Sequence, residues 1–146
     1  MIWFLRHGDA EDTEPDFDRH LTDKGRRQSR SAGLALAALG VQIEVCLSSP
    51  KVRARETAEL ACEALGVEVT PDERLAGGRF DPLDLTAGLD DALLVGHEPD
   101  FSDAVGQLTG GRVDMKKGGL AAVEERELVL LLRPKETKTI ATVKGR

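Results

Sequence analysis

Two histidines and two arginines of this 146-residue chain stand where they could together transfer a phosphoryl group. Arg6, His7 and His97 lie at the ends of short apolar runs, and Arg53 begins a helical segment that follows another such run. An imidazole nitrogen can attack phosphorus, and a guanidinium offers a planar fork of N–H donors that matches phosphate oxygens. Any one of these side chains alone would more often be structural or solvated. Four of them at comparable positions indicate a shared site.

Apolar runs and helical segments alternate along the chain, which predicts the elements that must position these side chains. Continuous apolar runs predict buried strands, and alanine- and leucine-rich segments between a cap and a glycine predict helices. The predicted strands are residues 1–5, 43–47, 67–70 and 92–95, the helices span about 22–40, 52–65 and 99–108, and a hairpin pairs 120–123 with 128–132. This alternation predicts an α/β fold, a three-layer α/β/α arrangement with a mainly parallel sheet.

The carboxyl ends of the strands are where such a sheet binds its ligand. The tripeptides R-H-G at 6–8, S-S-P at 48–50 and G-H-E at 96–98 each follow a predicted strand. We therefore expect them to share one rim of the sheet. A second arginine of the helix at 52–65, Arg55, is expected to stay outside this site and to pair with Glu56 or Glu59 on the helix surface.

Length and composition describe a soluble globular protein and exclude several function classes. A chain of 146 residues predicts a single domain over residues 1–146. A formal net charge of −6, with one tryptophan, four phenylalanines and no tyrosine, argues against a nucleic-acid partner. No apolar run approaches the roughly 18 residues that a membrane helix needs, so we expect no membrane partner.

Cysteine use and the two ends of the chain give further expectations. Two cysteines are too few for a disulfide framework, and the first apolar run is too short for a signal peptide, which predicts a cytoplasmic protein. Cys46 and Cys62 are expected to be small core residues. The polar tail over residues 134–146 is expected to be peripheral and loose, and the alternative is a final strand through 139–143 with Ile140 packed on the sheet.

Three motifs in a fixed order carry a family resemblance. L-R-H-G at 5–8, L-S-S-P-x-x-R-A-x-x-T-A at 47–58 and V-G-H at 95–97 together resemble the histidine phosphatase superfamily, whose fold is phosphoglycerate-mutase-like. The short chain, R-H-G-D-A at 6–10, R-H-L-T-x-x-G at 19–25 and K-K-G-G at 116–119 resemble its small SixA-type branch of phosphohistidine phosphatases. The resemblance covers residues 1–132. Two positions depart from it, His20 where the branch usually has proline and Glu56 where the family often has glutamine.

The resemblance implies a role for each of the first residues singled out. His7 would be the nucleophile, forming a phosphohistidine intermediate that water cleaves. Arg6 and Arg53 would clamp the phosphate oxygens, and a protonated His97 would add a further donor. Arg19 would reach the phosphate from the first loop. The resemblance implies no metal and no other cofactor.

The proton donor for the leaving group is harder to place. Many relatives that act on phosphate esters carry an acidic residue between the second and third motifs, and here Glu73 is one candidate and Asp9 of the first loop another. Neither stands in a convincing motif. An alkoxide leaving group needs a proton, whereas an imidazole can leave already protonated. A missing acid therefore favours phosphohistidine as the substrate.

These residues predict a metal-independent phosphatase that acts through His7 on a histidine-phosphorylated protein. A small-molecule phosphomonoesterase is an alternative from the same chemistry, with a small phosphorylated compound as the partner. A non-catalytic phosphate- or phosphoprotein-binding module is an alternative from another class, although such a module need not keep a nucleophile.

Overall fold

A six-stranded sheet forms the centre of the computed structural model, which describes residues 1–143. The strands are β1 (Ile2–Arg6), β2 (Val45–Ser48), β3 (Val69–Pro71), β4 (Ala92–Gly96), β5 (Leu120–Glu124) and β6 (Glu127–Leu132). They lie in the order β3-β2-β4-β1-β5-β6, in which the first four are parallel and β5 and β6 are antiparallel. The sheet is therefore mostly parallel, as the sequence predicts.

Helices cover both faces of this sheet. They are α1 (Asp23–Ala38), α2 (Val52–Leu65), α3 (Pro82–Leu85), α4 (Asp100–Thr109) and α5 (Pro134–Ala141), with single 3-10 turns at Asp16–Asp18 and Glu73–Leu75. On one face α1 and α2 pack with Trp3 and Leu5, and on the other α4 packs with Phe4 and Leu94. Successive residues of a strand point to opposite faces of the sheet, so β1 and β4 contribute side chains to both halves of the core. The α/β fold predicted from the sequence is confirmed.

The predicted elements agree with the structure to within a few residues. The helix predicted over 52–65 has those bounds, and it ends at Gly66, whose φ of 67° is the left-handed conformation that glycine adopts at helix ends. Arg55 lies 3.7 Å from Glu59, the surface pair expected for it. The short helical elements within 71–91 carry little periodicity and were not predicted.

The tail is neither loose over 134–141 nor a final strand. It forms α5, which begins at Pro134 and packs against α1, and the side chain of Thr137 is fully buried there. The Glu136 carboxylate accepts the backbone N–H of Arg133, which satisfies a donor at the start of the helix. The sequence did not predict this helix because its inward face is short and weakly apolar, with Thr137 buried and Pro134, Ile140 and Ala141 partly buried. Residues 144–146 of the predicted tail lie outside the described residues.

Candidate active site

The ends of β1, β2 and β4 meet at a pocket of about 510 Å³. Five of its lining residues are those predicted to bind or attack phosphate, namely Arg6, His7, Arg19, Arg53 and His97. Parallel neighbours bring the strand ends together, since Arg6 pairs with Gly96 and Ser48 with Val95 in the sheet register. The pocket also contains residues that the sequence did not single out for it, among them Lys51, Asp100 and Lys117.

Backbone contacts fix the turn that carries His7. Its own N–H donates to the carbonyl of Gly96 at 3.0 Å, and the N–H of Gly118 donates to the carbonyls of Arg6 and His7. The N–H of Gly8 donates to the hydroxyl of Thr57 at 3.1 Å. The K-K-G-G segment and the threonine of the second motif thus hold the first motif in place.

His7 presents one unprotonated nitrogen to the pocket. Its Nδ1 lies 2.7 Å from the carbonyl oxygen of Gly8, which can only accept, so Nδ1 carries the proton and Nε2 is the free base. Burial lowers the pKa of His7 to about 4, and the nearby charges of Arg53 and Arg6 add to this, against the opposing contact with Gly8. His7 is therefore neutral at pH 7, the state in which an imidazole is a nucleophile.

His97 is also neutral at pH 7, which differs from the protonated donor expected from the sequence. Burial lowers its pKa to about 3, with further contributions from His7 and Arg53. Its Nε2 lies 2.8 Å from the hydroxyl of Ser49, and its ring centroid lies 5.2 Å from that of His7. Two imidazoles this close to several cations cannot easily gain a proton, because each new charge would add to the repulsion.

Backbone carbonyls hold two of the three arginines of the pocket, Arg6 and Arg53. Arg6 Nη1 donates to the carbonyl of Met115 at 2.9 Å, and Arg53 Nη1 donates to that of Asp16 at 2.8 Å. Within residues 1–143, the buried side-chain nitrogens and oxygens without a hydrogen-bond partner are Nε of Arg6, Nε of Arg53 and Nδ1 of His97. Unsatisfied buried donors are rare in proteins, so their confinement to one pocket points to a ligand.

Asp16 is a site residue that the sequence analysis missed. From the 3-10 turn in the first loop, its carboxylate lies 3.3 Å from Lys51, 3.3 Å from Arg19 and 3.4 Å from Arg53. Burial acts to raise its pKa, but Arg53 and the two other cations outweigh burial and lower the pKa to about 2. Asp16 therefore places a permanent anion on the cations of the pocket. In a polar segment such as D-T-E-P-D-F-D, no sequence signal distinguishes it from its acidic neighbours.

We expect Asp16→Asn to bind inorganic phosphate about fivefold more tightly, because the protein's own carboxylate no longer competes for the three cations. That change corresponds to about 1 kcal/mol, the upper range for a partly exposed ion pair. Titration calorimetry measures it. Asp18→Asn, an exposed residue of the same turn without an ion pair in the described chain, is the matched control and should bind phosphate as the wild type does. Equal or weaker binding by Asp16→Asn would contradict the competition.

The two acidic residues considered as proton donors occupy different surroundings. The Asp9 carboxylate accepts a hydrogen bond from the Thr22 hydroxyl and pairs with Lys117, and together these lower its pKa. Glu73 is exposed in its 3-10 turn and does not line the pocket. By contrast, Asp100 lines the pocket and accepts the N–H of Gly78 at 3.0 Å, and burial raises its pKa. Asp100 is the pocket carboxyl whose pKa is shifted in the direction that suits a proton donor.

The two departures from the family pattern contact each other. His20 Nδ1 lies 3.2 Å from the Glu56 carboxylate, which also accepts the backbone N–H of Leu21 at 2.9 Å. Both residues tie the first loop to α2, and neither lines the pocket. The two departures therefore affect how the first loop is attached to α2, and they lie outside the pocket.

The described residues offer neither a metal site nor a membrane-spanning helix. Among residues 1–143, no group of three or more histidine, cysteine or acidic side chains is placed to hold a metal ion. No helix in the same range has the length and apolar character needed to cross a membrane.

Comparison with known sequences gives a family match over more than half of the chain and relatives that align with all or part of it. The family model for the histidine phosphatase superfamily, branch 1, matches residues 2–89. A protein from Picosynechococcus sp. without a characterised function is 35% identical over 160 aligned positions, covering 92% of this chain and 96% of that protein. The mitochondrial serine/threonine-protein phosphatase Pgam5 of Drosophila ananassae is 42% identical over 60 residues, which are 40% of this chain and only 21% of Pgam5.

Comparison with solved structures gives matches to nearly the whole fold. The protein histidine phosphatase SixA, solved with tungstate, superposes with a TM-score of 0.81 at 26% identity, covering 92% of this chain and 97% of SixA. A mycobacterial glucosyl-3-phosphoglycerate phosphatase with bound inorganic phosphate gives a TM-score of 0.66 at 17% identity, covering 88% and 95% of the two chains. At that identity the second match shows a shared fold alone.

Proposed function

The chain belongs to the histidine phosphatase superfamily and shares the fold of its SixA branch, and we propose that it removes phosphate from phosphohistidine in proteins. The observation that carries the proposal is the free Nε2 of His7 in a pocket that it shares with Arg6, Arg19 and Arg53. SixA, which shares this fold at 26% identity, is a protein histidine phosphatase, and this likeness supports the same substrate class.

The reaction proceeds in two displacements on phosphorus. Nε2 of His7 forms a bond to phosphorus while the P–N bond of the substrate breaks, and the substrate imidazole leaves with its own proton. Water then attacks the phosphohistidine, and inorganic phosphate leaves as Nε2 is regenerated. Arg6 and Arg53 stabilise the charge on the equatorial oxygens, and Arg19 lines the same pocket. The neutral His97 donates a hydrogen bond to the phosphoryl group through the ring nitrogen that carries its proton.

The leaving group distinguishes this proposal from a phosphomonoesterase. With Glu73 outside the pocket, Asp9 paired with Lys117 and Glu98 accepting from Ser102, Asp100 is the carboxyl best placed to protonate an alkoxide. An imidazole needs no such proton. The exposed Gly77 and Gly78, which carry no side chains, leave room for a protein surface beside His7.

We expect a phosphohistidine protein, or phosphoramidate itself, to turn over at least about tenfold faster than alkyl phosphate esters, or about 1.4 kcal/mol in barrier. Phosphate release from matched concentrations of each compound measures this ratio. Asp100→Asn should leave phosphoramidate turnover unchanged, and Glu73→Gln serves as its control outside the pocket.

Asp100 is also the observation that favours the second candidate, a small-molecule phosphomonoesterase. If alkyl esters turn over as fast as phosphoramidate, and if that activity is lost in Asp100→Asn but kept in Glu73→Gln, the Asp100 carboxyl is a general acid and the phosphomonoesterase is the correct function.

A further inference from the structure

A second concave surface of about 520 Å³ lies between α1 and α5, outside the candidate active site. Five cations line it, and we call this surface the basic groove. They are Lys24, Arg27 and Arg30 from α1, and Lys135 and Lys138 from α5. All five are exposed. The groove exists because the tail folds as α5, so it could not be anticipated from a loose tail.

The charges of the basic groove are not neutralised by the protein. Within residues 1–143, none of its five cations forms an ion pair. The acidic residues of the same two helices are engaged elsewhere, Asp23 with Arg26 and Glu136 with Arg133. The chain as a whole carries a formal net charge of −6, so the groove is a positive region on an acidic protein. Like charges that gather in this way attract an anionic partner and repel one another without it.

The basic groove adjoins the candidate active site through three residues. Gln28 lines the groove, and its side-chain oxygen accepts the backbone N–H of Asp9 at 2.8 Å. The Asp9 carboxylate lies 3.4 Å from the ammonium of Lys117, which lines the pocket that holds His7. The groove and the pocket are therefore neighbouring surfaces, separated by these three residues.

We propose that the basic groove docks the acidic face of the protein that carries the phosphohistidine. This inference rests on the proposed function and names the surface chemistry of its substrate. An acidic partner is repelled by most of this acidic chain and attracted by the groove, which orients the encounter and raises the association rate. A concave wall of cations fits a projecting acidic helix or loop, whereas a lipid bilayer is flat, so a protein is the occupant that the shape favours.

The test compares two charge-reversing pairs of substitutions. Arg27→Glu with Lys138→Glu changes one residue on each wall of the groove. Arg112→Glu with Arg126→Glu changes two exposed arginines elsewhere that also form no ion pair in the described chain. The substrates are phosphoramidate and an acidic protein phosphorylated with phosphoramidate on an exposed histidine. For the groove pair we expect kcat/KM on the protein to fall at least about tenfold, with phosphoramidate turnover unchanged.

The control pair should retain both activities, and added salt should reduce the protein activity of the wild type toward that of the groove pair. Equal protein turnover by the wild type and the groove pair would overturn the docking surface and leave the proposed function intact. No turnover of either substrate by the wild type would overturn the proposed function, and the docking surface with it. Binding to phosphatidylserine vesicles that is lost in the groove pair, with protein turnover unchanged, would assign the groove to membranes instead.

Discussion

Replacing His7 by alanine is expected to abolish phosphate release, a loss of at least about a thousandfold, because in the proposed mechanism every turnover passes through its imidazole. Brief exposure of the wild type to ³²P-labelled substrate should leave acid-labile, base-stable label on His7, located by peptide mass spectrometry. His20→Ala is the matched control, since His20 is exposed, lies outside the pocket and pairs with Glu56. Label on another residue, or activity retained by His7→Ala, would exclude the covalent mechanism.

The pH dependence of the same reaction follows from the pKa of His7. Only the free base attacks phosphorus, and kcat/KM reports the ionisation of the free enzyme. Because the pKa of His7 is lowered from 6.5 to about 4, kcat/KM should stay level as the pH falls through 6.5 and should decline only near pH 4. This acidic side of the pH profile is measured with phosphoramidate, after each rate is corrected for spontaneous hydrolysis of the compound. A decline centred near pH 6.5 would mean that His7 is protonated as an ordinary exposed histidine is.

Arg53→Lys is expected to reduce kcat/KM about a hundredfold although it keeps the positive charge. Arg53 is almost fully buried, and its fork serves two tasks. Its Nη1 donates to the Asp16 carbonyl, and its Nη2 donates to the Asp16 carboxylate, which phosphate would replace. A lysine ammonium cannot reach both positions, and loss of one donor to a transferring group typically lowers the rate by this factor. Steady-state kinetics on phosphoramidate measure the loss.

Arg55→Lys supplies the control for this substitution, since Arg55 lies on the same helix but on the solvent side with Glu59. We also expect chelators to leave the activity of the wild type unchanged, because the guanidinium groups neutralise the phosphate. An activity lost to a chelator and restored by a divalent ion would show that a metal contributes the charge.

The site residues that could be predicted share a property that a sequence displays. Arg6, His7 and His97 follow continuous apolar runs, and the parallel sheet then brings the ends of those runs together. Asp16 lies in a polar loop, and its role depends on where two distant cations, Lys51 and Arg53, fold beside it. The same holds for Asp100, whose pKa depends on burial beside Gly78. The roles of such residues depend on tertiary contacts, which a local sequence pattern does not show.

The helix formed by the tail, and with it the basic groove, could not be predicted from the sequence for a related reason. Hydrophobic periodicity reports a helix when the helix buries an apolar stripe, and α5 buries a threonine and half-buries an isoleucine. The turn chemistry at Pro134 and Glu136 was visible, but a helix start without an apolar stripe is a weak signal. With α5 unrecognised, the cations on its surface could not be placed opposite those of α1.

The carboxylate of Asp16 has a consequence for how binding energy is used over a turnover. Substrate, transition state and product phosphate must all displace the same carboxylate from the same cations, so each gives up the same free energy. A loss shared equally by ground state and transition state leaves kcat untouched and raises KM, and it weakens inhibition by the product to the same degree. When phosphate departs, the returning carboxylate takes up the vacated cations. An enzyme built in this way exchanges affinity for resistance to inhibition by its own product.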